Sequence, residues 1–183
     1  VGSEMCIRDS KLEEEHRGAT AEEQQVLSQY VGWGGLADAF DPSKDSWAKE
    51  YAELKGLLSE DEYAAARSST LNAHYTSPVV IRSIYDAVEK MGFQSGNILE
   101  PSMGVGNFFG MLPDRMADSR LYGVELDSIT GRIAKKLYPQ ADITVAGFET
   151  TDRRDFYDLA VGNVPFGQYK VCLLYTSPSP RDA

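Results

Sequence analysis

The stretch Ile98-Leu-Glu-Pro-Ser-Met-Gly-Val-Gly-Asn-Phe-Phe109 decides how this chain is read. An apolar run, Asn97–Glu100, ends in an acid, turns through Gly104 and Gly106, and enters a helix from Asn107. Glycines let the backbone come close to a ligand, and a helix start supplies free N–H groups beside the same turn. Phe109 stands where a dinucleotide fingerprint places its third glycine. The loop alone therefore fits either a ligand cradle or a plain strand–helix turn.

Two further stretches give the loop a context. Leu121-Tyr-Gly-Val-Glu-Leu-Asp127 ends a second apolar run on Glu125, 19 residues beyond Gly106. At that distance an acid can accept hydrogen bonds from both ribose hydroxyls of a nucleoside cofactor. Val161-Gly-Asn-Val-Pro-Phe-Gly167 follows the fourth apolar run. In a parallel sheet such a loop falls at the carboxyl edge, where active sites assemble. The exocyclic amine of a base is a poor nucleophile because its lone pair is delocalised into the ring. The Asn163 side-chain amide oxygen and the Val164 carbonyl can accept its two hydrogens, Pro165 stiffens the loop, and Phe166 can stack on an extruded base. Taken by itself, the same string also reads as a Gly/Asn/Pro turn after a buried strand.

The remaining pattern divides the chain. From Lys11 to about Thr70 it is helical. Thr20-Ala-Glu-Glu23 opens a helix over 21–30, and Ser59-Glu-Asp-Glu62 opens another over 61–67, both as capping boxes. Trp47, Tyr51, Leu54 and Leu58 recur at helical spacing, and Val31-Gly-Trp-Gly-Gly35 is a turn-rich break. From Asn72 strands and helices alternate. Ser77-Pro78 opens a helix to about Met91, and apolar runs follow at 97–100, 120–125, 142–146 and 156–161, with a helix over 128–138. Units of roughly 30 residues in this alternation mean a parallel α/β sheet with crossover connections. Trp33 and Trp47 read as packing residues, His16 as solvated, and the Glu13–Glu15 run as an exposed helix face.

The termini read differently from the rest. Val1–Ser10 can be encoded by a DNA string whose reverse complement encodes Cys172–Pro180 residue for residue, as a transposase-type sequencing adapter read in both orientations would be. Residues 1–10 and 172–183 are accordingly expected to be non-native. This leaves a helical region over 11–70 and a partial α/β domain over 71–171, with about three further strands expected downstream. The trimmed chain has 16 basic and 25 acidic side chains, about −9 net. Both cysteines, Cys6 and Cys172, lie in the trimmed ends, so no disulfide framework or thiolate metal site is expected. The acidic balance argues against this segment alone gripping a nucleic-acid backbone. With no membrane-length apolar run and no secretory pattern, a cytoplasmic location is expected.

In order, His74-Tyr-Thr-Ser-Pro78, the Glu100–Gly106 loop, Val124-Glu-Leu-Asp127 and Asn163-Val-Pro-Phe166 resemble the adenine-N6 DNA methyltransferases whose cofactor motifs precede an (Asp/Asn)-Pro-Pro-(Tyr/Phe) loop. With Tyr30-Val-Gly-Trp-Gly-Gly35 and Leu71-Asn-Ala-His-Tyr-Thr76, the segment more narrowly resembles the methylase portion of large methylase–helicase fusion proteins of phages, plasmids and conjugative elements. The resemblance implies a Rossmann-like class I fold, first four strands only, preceded by helices, with S-adenosyl-L-methionine as cofactor, DNA as partner and no metal. A fused helicase domain would lie downstream. By position, Tyr75 and Thr76 would lie near the methionine moiety and Glu100 near its amino group. Pro101, Ser102, Gly104 and Gly106 would shape the loop, Glu125 would hold the ribose, and Phe148 would flank the cofactor's adenine. Asn163, Val164, Pro165 and Phe166 would hold the target adenine.

Two positions depart from that pattern. Val164 replaces the usual proline, which keeps the carbonyl but loosens the loop. After the third strand, Ala146-Gly-Phe-Glu149 lacks an acid at its usual place, so a backbone N–H or Glu149 is expected to contact the adenine. Competing readings are an RNA or protein-amide methyltransferase, a non-catalytic cofactor-binding module, and an NAD-dependent oxidoreductase, the last disfavoured by Phe109 and by the Asn163 loop.

Overall fold

The structure is a computed structural model and describes residues 9, 11–13, 15, 17–70 and 76–164. The helical N-terminal region contains α1 (Ala21–Leu27), α2 (Ala48–Leu57) and α3 (Glu60–Ser69). Both capping boxes form: Thr20 and Ser59 accept from the N–H groups of Glu23 and Glu62, whose carboxylates reach back to the cap amides. Then come α4 (Pro78–Lys90), β1 (Asn97–Glu100), α5 (Asn107–Gly110), β2 (Arg120–Glu125), α6 (Ser128–Leu137), β3 (Asp142–Val145) and β4 (Leu159–Ala160). Ser77 caps α4, with Pro78 at its first position.

The four strands form one sheet in the order β3-β2-β1-β4. All pairs are parallel, with Ile98 opposite Leu121 and Leu159, and Gly123 opposite Ile143. This is the order of a Rossmann-type half-sheet. A Rossmann-like α/β fold preceded by helices is therefore the architecture observed. Helices α4 and α6 pack on the same face. Ile81, Tyr85 and Val88 of α4 bury against Ile98 and Val161, while Ala134 of α6 buries against Met103, Phe109 and Ile143. The bulky Phe109 thus finds room between the turn, α6 and the sheet.

Helix α6 is buried on nearly every side because the N-terminal region covers its outer surface. Ile129 and Ile133 join Leu27, Trp33, Phe40 and Tyr63 in one buried cluster, which also takes in Val105 of the glycine turn. Burying an Ile or Leu side chain stabilises by roughly 1.5–3 kcal/mol, so the cluster ties the N-terminal region firmly to the sheet domain. Buried Lys136 pairs with Asp9 (2.8 Å) and with Glu13, and Arg132 pairs with Asp9 and Glu62, both at 2.8 Å. Asp9 falls in the stretch expected to be non-native, yet it is fully enclosed here.

Three elements are shorter than their sequence patterns. The first helix stops at Leu27, three residues early, because Tyr30 and Trp33 turn inward and Gly32 takes a left-handed φ of 72°. The helix at Asn107 lasts one turn, to Gly110. The fourth strand is in register only at Leu159–Ala160, flanked by backbone bonds from the Asp158 and Val161 N–H groups; before it Phe156 and Tyr157 pack edge-on to Tyr122, and the Asp158 carboxylate takes the Asn97 N–H at 2.7 Å. Among the described residues no helix is long and apolar enough to cross a membrane.

Candidate functional site

Parallel pairing brings the four strand ends to one edge. There Glu100, Glu125, the Gly147–Phe148 turn and Gly162–Asn163 follow β1, β2, β3 and β4 respectively. Open α/β sheets bind ligands outside their carboxyl ends, at the crevice between diverging connections. A recess of about 590 Å³ lined in part by Leu112, Tyr122, Tyr138 and Asp142 lies at the opposite edge, by the starts of β2 and β3. None of the candidate catalytic or cofactor-binding residues lines it.

The glycine turn has the conformation its sequence requires. Gly104 and Gly106 take φ values of 56° and 81°, a region that costs a residue with a Cβ. A Cβ on Gly106 would also lie 2.6 Å from the Tyr138 ring, whereas one on Gly104 would meet none of the described residues within 4 Å. The two glycines thus differ in purpose. Gly106 makes room for packing behind the turn, and Gly104 keeps its outer side open. Pro101 and Ser102 are half-buried at the start of the turn.

Glu125 and the turn are joined directly. The Gly104 N–H donates to Glu125 Oε2 (2.8 Å), and the Asp127 N–H donates to Oε1 (2.9 Å). Burial pushes the Glu125 carboxyl above its usual range, opposed by these N–H groups. Each carboxylate oxygen offers two acceptor positions, so acceptor capacity remains for a hydroxyl donor. Asp127 is itself buried and caps α6. It accepts from the Ile129 N–H (3.1 Å), the Thr130 hydroxyl (2.6 Å) and the Trp33 indole N–H (3.1 Å). The sequence reading gave Asp127 no role of its own. The Asp127-Ser128 step before an apolar-periodic run is a cap signal that marks it.

Glu100 is enclosed at 2% exposure rather than displayed at the rim. Burial drives its carboxyl well above the usual range; the backbone N–H groups of Phe108 and Phe109 oppose that shift, and the nearby Glu125 adds to it. Its Oε2 has no hydrogen-bond partner among the described residues. The same environment raises two phenols: Tyr85 is shifted upward, and Tyr138 is pushed up to about 12, both mainly by burial.

The remaining site residues sit around the rim. A Cβ on Gly162 would lie 3.4 Å from Pro101 Cδ and 3.5 Å from Glu100 Cγ, so the end of β4 abuts the start of the glycine turn. Asn163 follows half-buried, and Val164 is 46% exposed. Phe148 is 38% exposed in a single turn after β3. Thr76 is half-buried just before the cap of α4. Tyr75, Pro165 and Phe166 lie outside the described residues. Trp33, read as a packing residue, is indeed buried. Among the described residues no group of three metal-ligating side chains converges.

Comparison with known proteins adds two relatives. The chain is 28% identical over 151 residues to the defense against restriction protein B of Escherichia phage P1, covering 81% of this chain and 5% of that protein. It is 34% identical over 93 residues to the type II methyltransferase M.CvrRI of Paramecium bursaria Chlorella virus XZ-6E, covering 50% of this chain and 24% of that one. The chain thus spans a minor part of each curated relative. A solved structure described as a class I S-adenosylmethionine-dependent methyltransferase from Listeria monocytogenes aligns over 74% of this chain and 43% of its own, with a TM-score of 0.44 and 17% identity. No protein-family model matches.

Proposed function

We propose that this chain binds S-adenosyl-L-methionine and forms part of a DNA methyltransferase acting on the N6 amine of adenine. One observation carries the reading. The glycine turn, the Glu125 carboxylate bonded to it and the Asn163 strand end abutting its start share one sheet edge. The viral relative is named a type II methyltransferase, which supports DNA as the methyl acceptor.

The residues present fit the cofactor. Glu125 has acceptor capacity left for the ribose after taking the Gly104 and Asp127 N–H groups. Glu100 Oε2, which has no partner among the described residues, would accept from the methionine amino group. Pro101, Ser102 and Gly104 line the turn on its open side, Phe148 offers an apolar face to the adenine, and Tyr75 and Thr76 would flank the methionine end. S-adenosylmethionine supplies an electrophilic methyl group on a sulfonium. The protein's task is to hold an amine in line with it. Asn163 and the Val164 carbonyl accept the amine's hydrogens, favouring a tetrahedral nitrogen whose lone pair is free to attack. Pro165 and Phe166 would fix and stack the base. Acceleration then comes from positioning and from relief of charge.

Titration with S-adenosylmethionine and with NAD separates the cofactors, and only the former is expected to bind. Methyl transfer is read with trideuteromethyl-labelled cofactor and mass spectrometry of digested DNA, where labelled N6-methyladenine is expected. Labelled cytosine, RNA or protein instead would refute the acceptor assignment. Asn163→Ala should cut transfer by about 10²–10³-fold, the scale for removing one preorganised polar contact to a reacting group, with cofactor affinity kept within about twofold. Transfer that survives this change refutes the role of Asn163.

A further inference from the structure

Trp33 links the N-terminal helical region to the candidate cofactor site by a side-chain hydrogen bond. Trp33 is 3% exposed and sits edge-on to Tyr30 and Phe40, with ring centroids 6.2 and 5.5 Å away. Those contacts aim its N–H at Asp127 Oδ2, 3.1 Å away and 94 positions on in the chain. From Asp127 the bonds continue. Its own N–H holds Glu125 Oε1 at 2.9 Å, and Glu125 Oε2 holds the Gly104 N–H at 2.8 Å. Val105, the next residue of the turn, is buried in the same apolar cluster as Trp33.

We propose that Trp33 is a positioning residue for the ribose-binding carboxylate, fixing Glu125 and the glycine turn through Asp127. The inference rests on the cofactor reading above. A ring that served packing alone would need no N–H on a buried carboxylate, since phenylalanine fills an apolar cluster without introducing a donor. Thr130 and the Ile129 amide already bond Asp127 from within α6. The Trp33 bond is the contact that holds the same carboxylate from the N-terminal side. Losing it frees the Leu126–Asp127 turn to shift, and Glu125 moves with it.

The test uses the whole chain and Trp33→Phe, which keeps an aromatic ring and removes the donor. Two readouts are needed: amide hydrogen exchange at Gly104 in the free protein, and affinity for S-adenosylhomocysteine and for its 2′,3′-dideoxyribose analogue. The expected result is Gly104 exchange about five- to tenfold faster and S-adenosylhomocysteine bound about five- to tenfold more weakly, the scale of one intramolecular hydrogen bond. Affinity for the dideoxy analogue should change less than about twofold, because that ligand makes no use of Glu125. Unchanged exchange overturns the proposal, as does equal weakening of both ligands, which is the mark of a purely structural loss. Should Trp33→Phe fail to fold, Asp127→Asn takes its place with the same expectations, since its amide can no longer accept all three converging donors. If the unaltered chain has no affinity for S-adenosylhomocysteine, the cofactor reading and the ribose role fail together. Gly104 exchange still decides whether Trp33 governs the turn.

Discussion

Replacing Gly104 and Gly106 by alanine, one at a time, separates the two purposes of the turn. Both residues have positive φ, at 56° and 81°. Each substitution therefore costs the strain of a Cβ in the left-handed region, roughly 1–2 kcal/mol. At Gly106 a second cost is added. The new methyl would sit 2.6 Å from Tyr138 Cε2 and 3.1 Å from Met103 Cε. The Tyr138 ring cannot easily yield, because it packs edge-on to Phe109 at 5.8 Å and its hydroxyl lies against Gly110. Overpacking of this kind costs about 1–3 kcal/mol, so Gly106→Ala should lose about 2–5 kcal/mol in total. At Gly104 the methyl meets none of the described residues within 4 Å, and only the strain remains. Its penalty should instead appear in binding, because the methyl fills the side of the turn that the cofactor would approach. Urea denaturation should rank Gly106→Ala below Gly104→Ala, and titration with S-adenosylmethionine should show Gly104→Ala weakened about tenfold or more. Equal stabilities would refute the packing account of Gly106. Wild-type affinity in Gly104→Ala would refute the glycine turn as the cofactor's cradle.

Glu125→Gln should weaken S-adenosylmethionine by about ten- to a hundredfold, since hydrogen bonds to a charged acceptor are worth about 1.5–3 kcal/mol; titration showing a loss under twofold would remove Glu125 from the ribose role. Glu100→Gln tests burial. The carboxyl titrates near 4.5 when exposed and well above that when folded, so between those values the folded chain binds more protons than the unfolded one, and stability falls as pH rises through the window. The melting temperature of Glu100→Gln minus that of the unaltered protein should be near zero below pH 4.5 and positive above the folded value; a difference independent of pH would show that the buried carboxyl is not the cause.

The strands were legible because each is a short apolar run closed by a turn signal, and the site was legible because a parallel sheet gathers strand ends by topology alone. Glu125 could be placed from its distance to Gly106 without knowing how it would be held. What local pattern could not show was side-chain bonding across the chain. Residues 156–158 look like strand by composition, but Phe156 and Tyr157 pack edge-on to Tyr122 in place of ladder pairing, and at Asp158 the backbone N–H bonds Asn97 O while the side chain takes the Asn97 N–H. The enclosure of Glu100 is equally non-local, produced by the fold of α5 and α4 over a strand end that reads as a rim position.

The boundary near residue 70 marks a change in sequence rhythm, and the packing crosses it. Leu27, Trp33, Phe40 and Tyr63 share a cluster with Val105, Ile129 and Ile133, so residues on both sides lose the same apolar surface to water if either is displaced. Lys136 shows the electrostatic side of that coupling. It is buried on α6, and its charge is balanced from outside the sheet domain by Glu13, together with Asp9 of the stretch read as non-native. An unpaired buried ammonium is costly enough that α6 cannot keep this geometry without partners of that kind. Asp127, which caps α6, lies two residues after the acid that bonds the glycine turn. A disturbance of the N-terminal region therefore has a short physical route to the candidate cofactor site, through the helix start that both share.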